Sequence, residues 1–130
     1  MKISNFLLFL AIYGFITGGM MLFNATGSLA NFGMQSIDQY HIAILQYLGL
    51  TDISLALIAF LLRNESSATV IRSLLITYLF ITISSFLKAS YDVLLLHIPS
   101  NTFFWVDMSL RLLVGVACVY FYVNNSKKTV

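Results

Sequence analysis

The sequence predicts an all-α, integral membrane four-helix bundle with both termini cytoplasmic, a single transmembrane domain occupying residues 1–130. Three observations predict it. Hydrophobic residues make up 59% of the chain and charged residues only 9%, whereas a soluble domain carries nearer ~25% charged residues. The apolar residues gather into four runs, each long enough for a span of ~20 residues. The polar residues collect in the short stretches between those runs, so little chain remains for any domain outside the bilayer.

The first run, 6–23, follows a lone Lys2 and carries glycine at positions 14, 18 and 19, a small-residue face that lets another helix approach closely. A basic start and an apolar core also describe a signal peptide. Here the core is long and Phe23-Asn24-Ala25 is a poor cleavage site, so the run is expected to be retained as a helix. Residues 24–40 form a polar connection with Gly27 and Gly33, interrupted by Leu29, Phe32, Met34 and Ile37, a pattern suited to a short amphipathic turn along the interface. The second run, 41–62, ends at the compact polar turn Arg63-Asn64-Glu65-Ser66-Ser67, which makes it and the third run antiparallel neighbours. The third, 70–96, exceeds the length needed to span and is expected to tilt, with Pro99 closing it. The fourth, 103–123, has Phe104-Trp105 at one end and Tyr120 and Tyr122 at the other, as interfacial aromatic belts do.

With four spans, Lys2, Arg63, Arg72, Lys127 and Lys128 fall on one side. The positive-inside rule places that side, with both termini, in the cytoplasm. The formal charge of +2 comes with no basic run, so no nucleic-acid partner is expected. The single cysteine, Cys118, allows neither an internal disulfide nor a multi-cysteine metal site.

Within or against the apolar runs lie Asp52, Lys88, Asp92, Asp107 and Arg111. A charge among lipid tails is costly and faces a partner, a wet cavity or a ligand. By a helical rise of ~1.5 Å per residue, Asp52 lies ~16 Å from Arg63 and Arg111 ~20 Å from Asn124. The two therefore fit one depth, with Lys88 reaching towards them, and a shared cluster in the outer half of the membrane is expected. Gly49, Asp52, Ala56 and Ala59 share one face of the second helix, Thr77, Ser84, Lys88 and Asp92 a stripe on the third, and Arg111, Gly115, Cys118 and Tyr122 one on the fourth. Lys88 with Asp92, and Asp107 with Arg111, stand at the i,i+4 spacing of helical ion pairs. Three acids against two bases leave one carboxylate formally uncompensated, and Asp52 lies deepest. Gln46 is placed to hydrogen bond across helices.

The cluster admits three uses: ion pairs that fix helix register, a pocket for a ligand or lipid headgroup, or a path for protons or ions. His41 and His97 fall at the outer boundary of their runs with no further ligand beside them, so neither metal nor haem is expected. No serine or threonine has the surroundings of a nucleophile, Ser84 and Ser85 being placed to bond helix backbone. The glycines of the first run lack the Lys-Ser or Lys-Thr of a phosphate loop.

Gly14 through Gly19 followed by Leu29-Ala-Asn-Phe-Gly33, the Tyr47-Leu-Gly49 start of a small-residue helix, Arg72 opening the third helix, and Lys88-Ala-Ser-Tyr-Asp92 near its outer end together resemble the DoxX-like four-helix membrane proteins of bacteria. The resemblance implies a bacterial inner-membrane protein; some of those proteins are linked to quinone-coupled sulfur oxidation, but this chain has no recognisable redox ligands, so no cofactor is predicted and quinone alone is left open. The chain departs from that pattern in having a lysine at Lys88 where arginine is usual, and in Asp52.

The reading reached from the sequence is a non-catalytic accessory or lipid- or ligand-binding subunit. It is organised by Asp52, Lys88, Asp92 and Arg111, with Gln46 and Asp107 in support. Its expected partners are the lipid bilayer, a membrane-protein partner or a second copy. Two alternatives stay open: a small proton- or ion-coupled transporter working through Asp52, and the membrane anchor of a quinone-linked oxidoreductase.

Overall fold

A computed structural model describes residues 2–98 and 100–126. Pro99 and the Lys127-Lys128 tail, used above to close the third run and to orient the chain, lie outside the described residues. Among the described residues the chain is helical and has no strands. Four of its helices are long and apolar enough to cross a membrane. The chain divides into two compact units, Met1–Asn64 and Glu65–Val130.

In the first unit, α1 (Ile3–Phe23) packs antiparallel to α3 (Gln39–Leu61), with the short α2 (Ala25–Asn31) between them in sequence. Helix α1 begins three residues before the expected start, because Ser4 and Asn5 continue the helix although they are polar. The α1–α3 seam is built on backbone. A Cβ at Gly18 would stand 2.7 Å from the Gly49 carbonyl oxygen and 2.9 Å from Ile53 Cγ1, and a Cβ at Gly49 would stand 2.7 Å from the Gly18 carbonyl oxygen. Such distances leave no room for a side chain, so the two helices meet at their narrowest dimension. Ala56 and Ala59 are fully buried, and Ala56 faces Gly14. Gly19 faces open space; of the three glycines expected on the packing face, two are used. Near the other end of the pair, the Ser4 hydroxyl donates to Asn64 Oδ1 over 3.3 Å.

The polar connection at 24–40 contains a helix that the sequence reading did not resolve. Asn24 caps it, accepting the Gly27 N–H at 3.3 Å, and the Ser28 hydroxyl ties it to α1 through the Met20 carbonyl at 3.2 Å. Its end is set by Gly33, whose φ of 89° is the left-handed conformation that glycine adopts without penalty. There the Gly33 N–H donates to Ala30 O and the Met34 N–H to Leu29 O, the paired bonds of a Schellman cap. Asp38 then starts α3, its Oδ1 accepting the His41 N–H at 2.9 Å, with His41 Nδ1 2.8 Å from the same oxygen. After α3 a 3-10 turn, Leu62–Asn64, closes the unit. Arg63 lies over the Phe60 ring at 4.2 Å, a cation–π contact.

The second unit is a helical hairpin of α4 (Ala68–Leu94) and α5 (Thr102–Ser126). Ser67 caps α4 by accepting the Val70 N–H, which starts the helix two residues before the expected position. Its last helical residue is Leu94 rather than residue 96. Beyond it the Ile98 N–H turns back to the Asp92 carbonyl at 3.0 Å and His97 adopts φ 53°, a conformation that costs a residue with a Cβ roughly 1–2 kcal/mol. Asn101 accepts the Phe104 N–H at 2.9 Å and so starts α5. Gly115 on α5 faces Thr82 on α4, where an added Cβ would meet Oγ1 at 3.1 Å.

Two predictions follow from these contacts. Gly18→Leu will destabilise the α1–α3 pair by about 1–3 kcal/mol through overpacking, while Gly19→Leu will stay within about 0.5 kcal/mol of the parent; denaturing-detergent titration followed by circular dichroism reads both. Equal midpoints for the two variants would contradict the seam. The His41 N–H beside Asp38 holds its carboxyl below the ordinary value. Cap stability from this group is therefore present above the ordinary carboxylate range and lost as pH falls through the lowered value. The Asp38 carboxyl carbon, followed by NMR in micelles, will titrate at lower pH than in a peptide of residues 34–42, and an unshifted midpoint would remove the cap from the account.

Candidate functional site

Among the described residues of the long helices, the hydroxyls of Thr17, Thr51, Ser54, Thr77, Thr82, Ser84 and Ser109 donate to the carbonyl four residues back. Their hydrogens are thereby spent locally, and the Ser84 donation to Phe80 O follows the expectation that it bonds helix backbone. The second unit also carries two ion pairs.

Each pair is contained in one helix. On α4, Lys88 Nζ is bonded to Asp92 Oδ1, and on α5 Arg111 Nε donates to Asp107 Oδ2 at 2.8 Å. The i,i+4 spacing puts each acid and base on one helical face, one turn apart. In both pairs the cation is the more exposed member. Lys88 is 69% exposed against 23% for Asp92, and Arg111 is 20% exposed against 13% for Asp107. The carboxylates are tucked in, so the side these pairs present outward is the positive one.

Beside Arg111 a cleft of about 290 Å³ runs between α4 and α5. Leu79, Ile83, Phe86 and Leu87 line it from α4, and Leu112, Gly115, Val116 and Val119 from α5. Gly115 lets α5 approach Thr82 closely, an added Cβ there standing 3.1 Å from the hydroxyl oxygen, and the cleft lies beside that contact. The Thr82 hydroxyl also reaches the wall, but it donates to Tyr78 O and Leu79 O and so leaves a methyl group for the lining. The result is an apolar furrow, which Arg111 borders with the hydrocarbon part of its side chain while its Nε is bonded to Asp107, the form of a site for an apolar chain.

The chain matches no family model, no curated protein and no solved structure. The geometry therefore carries the functional reading.

Of the residues singled out from sequence, Asp52 and Gln46 belong to the first unit, and Lys88, Asp92, Asp107 and Arg111 to the second. Gln46 Nε2 donates to the Leu22 carbonyl of α1 at 3.2 Å, a bond across helices that satisfies a carbonyl at the end of α1. Asp52 is half-buried on α3, and its backbone carbonyl stands 3.3 Å from where a Cβ on Gly14 would lie. His41 is engaged with Asp38, and His97 sits in the connection after α4. Among the described residues no three His, Cys, Asp or Glu side chains gather as metal ligands do.

The cleft itself was missed. Its signal was present as two i,i+4 rows, Leu79-Ile83-Leu87 and Arg111-Gly115-Val119, but such rows equally describe closed packing. Only the packing of the two helices together decides whether such rows close or leave a space.

Replacing Arg111 alone by glutamine will strand a mostly buried carboxylate and destabilise the protein by about 1–3 kcal/mol. The double variant Asp107→Asn/Arg111→Gln will recover most of that loss, since both charges are then gone. Thermal unfolding in detergent measures the pair of values; an Arg111→Gln protein as stable as the parent would show that Asp107 is well solvated without its partner.

Proposed function

We propose that this chain is a multi-pass protein of the bacterial inner membrane that binds a lipid or other apolar ligand and serves as an accessory subunit without catalysis of its own. In this reading its four long helices form one bundle with both termini in the cytoplasm. The observation that carries the binding function is the α4–α5 cleft, apolar along its walls. Many large hydrophobic side chains are exposed on all four long helices, among them Ile16, Tyr47, Phe80 and Val116. Such surfaces suit lipid contact and contact with a membrane partner. The resemblance to DoxX-like proteins supports the same architecture.

Val116, exposed at the edge of the cleft, is the residue through which to test this. Val116→Trp will fill the furrow without touching the Gly115–Thr82 contact. It will lower the lipid that survives purification in mild detergent by about tenfold, the equivalent of roughly two buried methylenes, as read by native mass spectrometry, with the helical circular dichroism unchanged. Retention equal to that of the parent would sink the binding role.

A further inference from the structure

We propose that the end of the first hairpin where α1 begins and α3 closes binds the phosphate of an anionic membrane lipid through Arg63, Lys2 and Asn64. The proposal involves none of the cleft residues and stands independently of the binding reading above. One bond brings the three side chains to the same end. The Ser4 hydroxyl donates to Asn64 Oδ1 over 3.3 Å, which holds the first turn of α1 against the 3-10 turn Leu62–Asn64. Lys2 stands two residues before Ser4, and Arg63 directly before Asn64. The same bond takes the acceptor side of the Asn64 amide and leaves its donor side, Nδ2, for a ligand oxygen. The Arg63 guanidinium lies over the Phe60 ring, 4.2 Å from its centroid. Stacking occupies the face of the guanidinium and leaves its N–H edge, the fork that grips phosphate in two parallel bonds.

The charge at this end is not spent inside the chain. Lys88 and Arg111 are held by Asp92 and Asp107, whereas among the described residues no carboxylate pairs with Lys2 or Arg63. Asp38 opens α3 at the far end of the hairpin, and Asp52 lies ~16 Å along α3 from Arg63 by the helical rise. Glu65, the next acid in sequence, turns its Oε1 to the N–H groups of Ser66 and Ser67, each at 2.8 Å. The first turn of α1 carries no acid and no side-chain cap, so the helix dipole adds to the positive potential there. Ile3–Phe23 and Gln39–Asn64 are each long and apolar enough to span a membrane, which sets these donors where hydrocarbon gives way to headgroups. A zwitterionic headgroup brings its own cation to the same place and loses part of the attraction, whereas phosphatidylglycerol does not.

The experiment titrates the full chain, purified in a neutral detergent, with dihexanoyl phosphatidylglycerol or dihexanoyl phosphatidylcholine and counts bound lipid by native mass spectrometry. The short chains keep the readout on the headgroup. Phosphatidylglycerol is expected to bind at least about tenfold more tightly than phosphatidylcholine. Arg63→Gln and Lys2→Gln are each expected to cut that preference about fivefold with the helical circular dichroism unchanged. Phe60→Leu keeps the charge but removes the ring beneath the guanidinium, and is expected to cut the preference about two- to fivefold. Equal binding of the two lipids by the parent, or a preference that survives the Lys2→Gln/Arg63→Gln double variant, overturns the proposal. A preference that falls with the charge variants but is indifferent to Phe60→Leu assigns it to diffuse attraction and overturns the site. Inorganic phosphate that displaces phosphatidylglycerol at equal concentration assigns the site to free anions and overturns the lipid.

Discussion

In hydrocarbon a polar group has no water to fall back on, and each one left unmet costs several kcal/mol. That constraint shapes this chain at every scale. It selects helices for the long apolar runs, and it turns the hydroxyls of Thr17, Thr51, Ser54, Thr77, Thr82, Ser84 and Ser109 back onto their own helices. It also sets Lys88 with Asp92 and Asp107 with Arg111 in pairs one turn apart. Each helix is close to self-sufficient in polar terms before it meets another.

Cohesion between the helices of a unit must then come from somewhere other than polar attraction. In the first unit it comes from the contact of backbones at Gly18 and Gly49, where dispersion is gained over a long, closely approached surface. Gln46 adds one directional bond to Leu22 O, which pins the register more than it holds the pair together. In the second unit Gly115 likewise lets α5 come close to Thr82, and the furrow lies beside that point of approach.

The helices were legible in the sequence because their signal is integrated over twenty or more residues, and errors at single positions average out. Their ends were less so. Ser67 and Asn101 start α4 and α5 by bonding the N–H of the third residue on, a local chemistry that a run of hydropathy does not register. Helix α2 escaped for the same reason: at seven residues it has no usable period, although its cap residues Asn24 and Gly33 are both typical of their positions. The pairs Lys88–Asp92 and Asp107–Arg111 were readable because i,i+4 spacing leaves the geometry little freedom. The cleft was not, because the space depends on how the side chains of α4 and α5 face one another, and that register is a property of two helices together.

Helix α1 finds its packing partner in α3, the next long helix in the chain, and α4 finds its own in α5. No long helix in either hairpin waits for a distant segment, so the loop entropy of pairing is small in both. During synthesis the chain emerges at roughly 5–20 residues per second. The glycine seam of the first hairpin can therefore close while the second is still inside the ribosome. A newly inserted α3 shields the groove of α1 within seconds of its appearance, which shortens the interval in which that narrow, sticky face is open to the wrong neighbour.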